Sequence, residues 1–478
     1  MTAYKPWRAC LATCALLILI ITPIAFARSD DLPKGTIIER VVCDADASQS
    51  YALYLPSAYT PQKKWPVIYA FDPDARGNLP VKLYQEAAEK YGYIVAGSYN
   101  SQNGMQSAPL QAAISAMIGD TRKRFSIDEN RIYTTGFSGG ARVATRVASS
   151  CGGCVAGVIA CGAGFPPDIK TSEAIPFVFF GTVGVDDFNY PELKQLDDKL
   201  DALSIPHRIA TFSGGHEWAS SSLLIQALQW IEIQAMRTGR KARDDAFIET
   251  EWKKGLGLAQ TDENEKKIFD AFKSYAALVA DFKGLKDVSD CESKVRGLKE
   301  SKEVKLAIKD EREQLQEQLE TAQQMIDLGS SLLTDPSKRA STMKELRVIV
   351  EGLRVKAKTV EDSRERRIAR RTLRQVLAQT YESAMFNYLP RKQYDVALIN
   401  FEVAGLIVPD SWEIPLDMAR AYALNGEKKK AFEALHLAVD KGLSDPTVIE
   451  NQKDFEALRS EDEFKSIVNG LKQARPSK

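Results

Sequence analysis

Two sequence patterns divide this chain, and the first of them leaves few folds open. Between residues 34 and 237, short runs rich in β-branched and aromatic residues alternate with helical stretches. Runs such as Val67-Ile68-Tyr69-Ala70-Phe71 are apolar at every position, the pattern of a strand covered on both faces. Strands are expected at 36–43, 50–55, 66–71, 93–97, 131–135, 155–161, 177–181 and 207–212. The first two alternate in polarity and suit an antiparallel hairpin at a sheet edge. Helical stretches fall between the later strands, near 80–91, 110–125, 139–149, 190–203 and 218–236. Strand, helix and strand in succession predict an α/β domain: a mostly parallel sheet with helices on both faces.

After residue 241 the strand signal stops, and an all-α helical-repeat domain is expected. Val304, Ile308, Leu315, Leu319, Ala322 and Ile326 recur at helical spacing, as do Met343, Leu346, Val350, Leu353, Ala357 and Val360. Breaks fall at Gly329, Asp335-Pro336, Pro390 and Val408-Pro409. Near the end, Tyr394-Asp395-Val396-Ala397-Leu398 is answered 34 residues later by Lys428-Lys429-Lys430-Ala431-Phe432. A helix–turn–helix period of that length, with small residues at the crossings, resembles the tetratricopeptide repeat. The domain reading is therefore α/β at 34–237, helices at 242–378 and tetratricopeptide-like repeats at 379–471. A chain of 478 residues has room for two or three such cores.

The N-terminus has a grammar of its own. Lys5 and Arg8 precede an uncharged apolar stretch from Ala9 to Ala27, ending in Ala25-Phe26-Ala27 and followed by Arg28-Ser29-Asp30-Asp31. Residues 1–27 read as a cleaved signal peptide, with an uncleaved anchor as the rival. Export to the periplasm or beyond the cell is expected, with no transmembrane segment in the mature chain. Cleavage would leave Cys43, Cys151, Cys154, Cys161 and Cys291, an odd set in an oxidising compartment. Cys151-Gly152-Gly153-Cys154 suits a structural disulfide or small buried thiols, since no second pair or nearby His completes a metal site.

The chemistry centres on Gly136-Phe137-Ser138-Gly139-Gly140. Gly-x-Ser-x-Gly is common by chance, but here it follows the run Arg131–Thr135 and opens a stretch of small helical residues. That strand–turn–helix is a nucleophile elbow, with Ser138 exposed on a sharp turn. A serine hydroxyl needs a base to become a nucleophile, and the chain has only 3 histidines. His436 lies among the repeats, and His207 opens an apolar strand, where a packing role is expected. His216 follows the last strand and the loop Ser213-Gly214-Gly215, so it is the candidate base. The orienting acid should lie between these two, in the loop after the penultimate strand, where Asp187 is favoured over Asp186. The oxyanion donors are expected to be the N–H of Gly139 and that of Asp74, because Pro73 has none to offer.

Taken together, residues 34–237 resemble secreted esterases of the α/β-hydrolase superfamily, notably the polyhydroxybutyrate-depolymerase, feruloyl-esterase and dienelactone-hydrolase-like group. The resemblance rests on Tyr51–Pro56, Pro66–Phe71, the elbow, the Asp187 loop and Gly214-Gly215-His216-Glu217-Trp218. It implies hydrolysis of carboxylic esters through an acyl-enzyme; with no Walker loop, Rossmann fingerprint or metal-ligand cluster in the sequence, no cofactor or metal is expected. Only 48 residues separate Ser138 from Asp187, too few for an inserted cap, so an open site that admits bulky or polymer-borne esters is expected. Asn100 and Asn103, in the loop after the fourth strand, and Trp218 are candidates for substrate contact, with a hydrogen-bonded turn and core packing as their bland alternatives.

The basic run Arg364, Arg366, Arg367, Arg370, Arg371 and Arg374 is interleaved with Glu361, Asp362 and Glu365 and reads as a solvated helical face. With 64 basic and 64 acidic residues, nothing calls for nucleic acid as partner. A protein partner on the repeats is expected. Two other functions remain open: a catalytically silent hydrolase scaffold serving as an interaction module, and a peptidase on the same fold.

Overall fold

The computed structural model describes residues 32–169 and 175–474, so the leader expected at 1–27 lies outside the described residues. Eight strands form one sheet: β1 (Ile37–Val42), β2 (Ser50–Tyr54), β3 (Trp65–Phe71), β4 (Ile94–Ser98), β5 (Ile127–Phe137), β6 (Gly157–Cys161), β7 (Val178–Gly184) and β8 (His207–Phe212). Their order is β1-β2-β4-β3-β5-β6-β7-β8. β2 runs antiparallel to both neighbours, and every pair from β4 onward is parallel. The expected strands are all present. β5 starts earlier than its apolar run, because Ile127 pairs with Trp65 before the polar Asp128-Glu129-Asn130.

Both faces of the sheet are covered. Helices α1 (Asn78–Tyr91) and α5 (Ser221–Arg237) pack on one face. Helices α2 (Ser107–Arg124), α3 (Gly139–Ser150) and α4 (Tyr190–Ala202) pack on the other. β3 shows the consequence of two-residue alternation: Val67, Tyr69 and Phe71 enter one core while Ile68 enters the other. Cys151 and Cys154 form a disulfide at the end of α3, and Cys43, Cys161 and Cys291 are buried free thiols.

The rest of the described chain is helical. Helix α5 also presents Ile233 and Met236 to α6 (Asp245–Asn264) and α7 (Ile268–Phe282), joining the two halves through a shared apolar cluster. Asp281 on α7 stitches the same seam: it accepts from the Trp230 indole N–H at 2.6 Å and pairs with Arg208. Beyond α8 (Ser289–Lys299), the long α9 (Lys302–Thr334) shares a core with α10 (Arg339–Ala357), α11 (Arg364–Glu382) and α12 (Tyr394–Ile407). A π-helical turn, Ser383–Tyr388, extends α11. Helices α13 (Glu413–Leu424), α14 (Lys428–Asp440), α15 (Pro446–Glu450) and α16 (Asp462–Ala474) follow among the described residues. α12 and α14 begin at the two positions matched in the sequence, and Ala397 and Ala431 are both fully buried.

The buried stripe of α9 is rotated from the expected one. Val304, Gln314, Gln318, Ala322 and Met325 face inward, leaving Leu315 and Leu319 half-buried. Their side-chain amides donate within the helical core, Gln318 to Gln375 at 3.2 Å and Gln314 to Asp310 at 2.7 Å. Leu319 is left free to face the site described next.

Candidate active site

β5 ends at Phe137, α3 begins at Gly139, and Ser138 sits between them at φ 51°, ψ −119°. That conformation costs a non-glycine residue about 1–3 kcal/mol and is held by its surroundings. Ser138 N–H donates to the Cys161 carbonyl at 2.8 Å, while its own carbonyl accepts from Ala141 at 3.0 Å. The flanking glycines are required by space. A Cβ on Gly136 would lie 2.2 Å from the Gly140 carbonyl, and one on Gly140 would lie 2.1 Å from the Phe71 oxygen.

The turn aims Ser138 at His216. Ser138 Oγ and His216 Nε2 are 2.8 Å apart, and His216 Nδ1 is 2.9 and 3.0 Å from the two oxygens of Asp187. Asp187 has no exposed surface and accepts one further bond, from Asn189 N–H at 2.8 Å. Because an ionised carboxylate can only accept, it fixes the Nδ1–H tautomer and leaves the Nε2 lone pair on the serine side. The imidazole is held between Phe137 and Phe188, with ring centroids at 4.6 and 4.1 Å. The neighbouring Asp186 turns the other way and pairs with Arg370 at 3.0 Å.

The other histidines lie elsewhere. His207 bonds to the Ile205 carbonyl and to Asp197. His436 pairs with Glu463 on the helical surface.

The parallel sheet, the strained serine between β5 and α3, and the chain order Ser138, Asp187, His216 belong together. The fold is that of the α/β-hydrolases. No family model and no curated protein matches the chain. Among solved structures, it is similar to FphF, a fluorophosphonate-binding serine hydrolase of Staphylococcus aureus, at 14% identity over 42% of this chain and 99% of that one, TM-score 0.35. It is also similar to a ferulic acid esterase, at 16% identity over 40% of this chain and 96% of that one, TM-score 0.33. A third is the dienelactone hydrolase-like promiscuous phosphotriesterase P91 from metagenomic libraries, at 12% identity over 42% and 96%, TM-score 0.33.

Three of the expected site residues take other roles. The N–H of Asp74 is not available to an oxyanion, because it donates to Asp72 Oδ1 at 2.9 Å. Asp72 is buried and gathers the whole loop, also accepting from Arg76 at 2.8 and 3.0 Å and from the Trp218 indole at 2.8 Å. Burial alone would raise the Asp72 carboxyl, but the bonds from Arg76 and Trp218 outweigh it and hold it below the ordinary range. Trp218 is thereby a support for this loop, half-buried and packed against the core rather than lining the cleft. Asn100 ties a turn, accepting from Ser50 N–H at 2.8 Å and donating to the Ser48 carbonyl at 3.1 Å.

Gly139 and Asn103 are at the site. Gly139 opens α3, where the N-terminal N–H groups favour negative charge. Asn103 lies against it, its Oδ1 only 1.8 Å from where a Gly139 Cβ would be, and both border a cleft of about 800 Å³ that contains Ser138.

That cleft is not the open surface expected from the spacing. Among the described residues no cap is inserted between Ser138 and Asp187, but Leu319 of α9, Gln375 and Gln379 of α11, and Phe386 of the π-turn form its far wall. Phe386 reaches across to Gly104. Glu382 also lines this wall, its carboxyl raised above the ordinary range by desolvation despite opposition from His216 and Arg142. The basic run is solvated only in part: Arg371 is buried and Arg370 half-buried, and both join the exposed Arg374 in bonding to the loop before Asp187. Sequence periodicity marks a helix, but it does not say which distant surface that helix meets.

Proposed function

We propose that this chain is a serine hydrolase that cleaves carboxylic esters through an acyl-enzyme. The observation that carries the reading is the unbroken relay from Ser138 Oγ to His216 Nε2, at 2.8 Å, and from His216 Nδ1 to the buried Asp187, at 2.9 Å.

In the first half-reaction, Ser138 Oγ attacks the ester carbonyl carbon as its proton passes to His216 Nε2. The carbonyl π electrons move to oxygen, and that oxyanion is received by the Gly139 N–H with Asn103 beside it. Asp187 holds the imidazole and stabilises its charged form. The tetrahedral species collapses by breaking the ester C–O bond, and the alcohol leaves with the proton from Nε2. Water then repeats the attack on the acyl-Ser138 carbon, giving up a proton to His216, and the acid departs as Oγ is reprotonated. Strain at Ser138 keeps its oxygen exposed for both attacks.

The intact relay favours catalysis over a silent scaffold, because a scaffold needs neither the strained serine nor an aligned base. Small nitrophenyl esters and the matching anilides separate esterase from peptidase. The reading expects a burst of alcohol equal to the enzyme present, followed by slower turnover of the ester. Preferential turnover of the anilide would overturn the ester assignment.

The apolar N-terminus supports export, with Arg28 as the first residue of the mature protein; N-terminal sequencing of the secreted chain tests this. The 34-residue spacing of α12 and α14 supports tetratricopeptide-like repeats at 379–471 that dock a protein partner.

A further inference from the structure

Resting on the serine-hydrolase reading above, we propose that Arg370 and Arg374 of α11 are positioning residues for the hydrolytic relay. The helical region is then a working part of the active site.

The loop from Val185 to Asp187 divides its backbone bonding between the two halves of the molecule. Its donors are answered by the α/β half: Val185 N–H to the Phe212 carbonyl and Asp186 N–H to the Gly214 carbonyl, each at 2.9 Å. Two of its carbonyls, those of Val185 and Asp186, are answered by α11, while the Asp187 carbonyl accepts from Tyr190 N–H at 3.1 Å. Arg371 Nε donates to the Val185 carbonyl, Arg374 Nη1 to the Asp186 carbonyl at 2.8 Å, and Arg370 Nη1 to the Asp186 carboxylate at 3.0 Å. Residues 370, 371 and 374 share one helix face, which is why one rigid element can hold three groups in a row. Arg371 also stacks on Tyr190, its guanidinium carbon 3.7 Å from the ring centroid. Arg364 and Arg367 face elsewhere and pair with Asp310 and Asp362.

Arg374 touches both loops of the relay. Besides the carbonyl next to Asp187, its Nη1 lies 2.5 Å from where a Cβ on Gly215, the neighbour of His216, would stand. The acid loop and the histidine loop meet backbone to backbone here, since a Cβ on Gly184 would fall 2.3 Å from the Gly215 oxygen. The Arg374 guanidinium lies exposed against that junction, and in this proposal its hold on both loops fixes the distance between Asp187 and His216. Misplacing a catalytic group by 1 Å costs on the order of a hundredfold in rate.

The test is steady-state hydrolysis of a small nitrophenyl ester by the full mature chain carrying Arg374→Met, Arg374→Lys, Arg367→Met, Gly215→Ala or Arg374→Met with Gly215→Ala together, with thermal melting alongside. Arg374→Met should lower kcat about ten- to a hundredfold with KM changed less than about twofold. Lysine should restore part of the loss, as it keeps one donor, and Arg367→Met should match wild type. Gly215→Ala pushes on the same contact from the other side. Its loss should not multiply with that of Arg374→Met, because neighbours sharing one contact are not additive. A folded Arg374→Met with wild-type kcat, or an equal loss in Arg367→Met, would overturn the proposal. Should Arg374→Met fail to fold, wild-type kcat in Gly215→Ala overturns it instead. A wild-type protein that neither hydrolyses esters nor reacts with a fluorophosphonate removes the hydrolase reading itself.

Discussion

Helices α3 and α11 both reach the cleft around Ser138, yet they are tied to the chemistry in different ways. α3 follows its nucleophile directly, so strand, turn and helix form one local unit whose glycines are demanded by contacts a few ångströms away. α11 arrives from far along the chain, and its arginines meet groups 184 to 188 residues earlier. In the first case the sequence motif and the structural requirement coincide. In the second, an arginine run that would suit any solvated helix becomes the acceptor-side partner of a catalytic loop. The chemistry of this protein is written locally, whereas its support is tertiary.

That contrast can be broken most sharply at two adjacent carboxylates. Asp187→Asn should lower kcat about a thousandfold or more, because the amide disrupts the tautomer that presents Nε2 to the serine. Asp186→Asn removes only the Arg370 ion pair and leaves the Asp186 carbonyl on Arg374, so a loss of at most about tenfold is expected. Equal losses in ester turnover would mean that the local and tertiary contributions had been wrongly divided.

A smaller effect is expected at Asn103. Asn103→Ala should lower kcat about tenfold while leaving thermal stability near wild type, since its side chain borders the cleft beside Gly139. An unchanged kcat would remove it from the site. Trp218→Phe should do the reverse. It deletes the indole donor to buried Asp72 and should cost about 1 kcal/mol in denaturant unfolding, with kcat within about threefold of wild type.

The smallest effect lies at His207, where only structure is at stake. Burial would lower its pKa, but the bonds to Asp197 and the Ile205 carbonyl raise it; Asp197 is lowered by the same pairing against its own burial. A raised histidine contributes stability below its unfolded pKa of about 6.5 and loses it as pH rises through the folded value. A lowered carboxylate contributes above about pH 4 and loses it on acidification. The pair should therefore stabilise most between about pH 4 and 6.5. The melting difference between wild type and His207→Gln should peak in that window, correspond to less than about 1 kcal/mol, and fade as pH rises through the folded value. A difference that grows with alkalinity would contradict the assignment.

The strands, the mostly parallel sheet and the serine–histidine pair could be read from the chain because burial on both faces leaves continuous apolar runs and because only three histidines compete. Asp187 was separable from Asp186 by its position leading into α4, and the geometry brings it to His216. The oxyanion loop was not legible. Asp74 has a free-looking N–H after a proline, but a buried carboxylate two residues earlier consumes it. Asn100 and Asn103 are equivalent in the sequence, and only the neighbouring backbone of Ser48 and Ser50 draws one of them away. The walled cleft was hidden for the reason that hid the arginines. Spacing between Ser138 and Asp187 limits an inserted cap, but it says nothing about helices that arrive from downstream.

The measurement that tests the central claim most directly is the rate of covalent modification of the mature chain by a fluorophosphonate, with Ser138→Ala and His216→Ala in parallel. The relay geometry predicts one equivalent of label on Ser138 in wild type, none in Ser138→Ala, and a rate slowed about a thousandfold or more in His216→Ala. A folded wild-type protein that takes no label, or one labelled equally well without His216, would contradict the account.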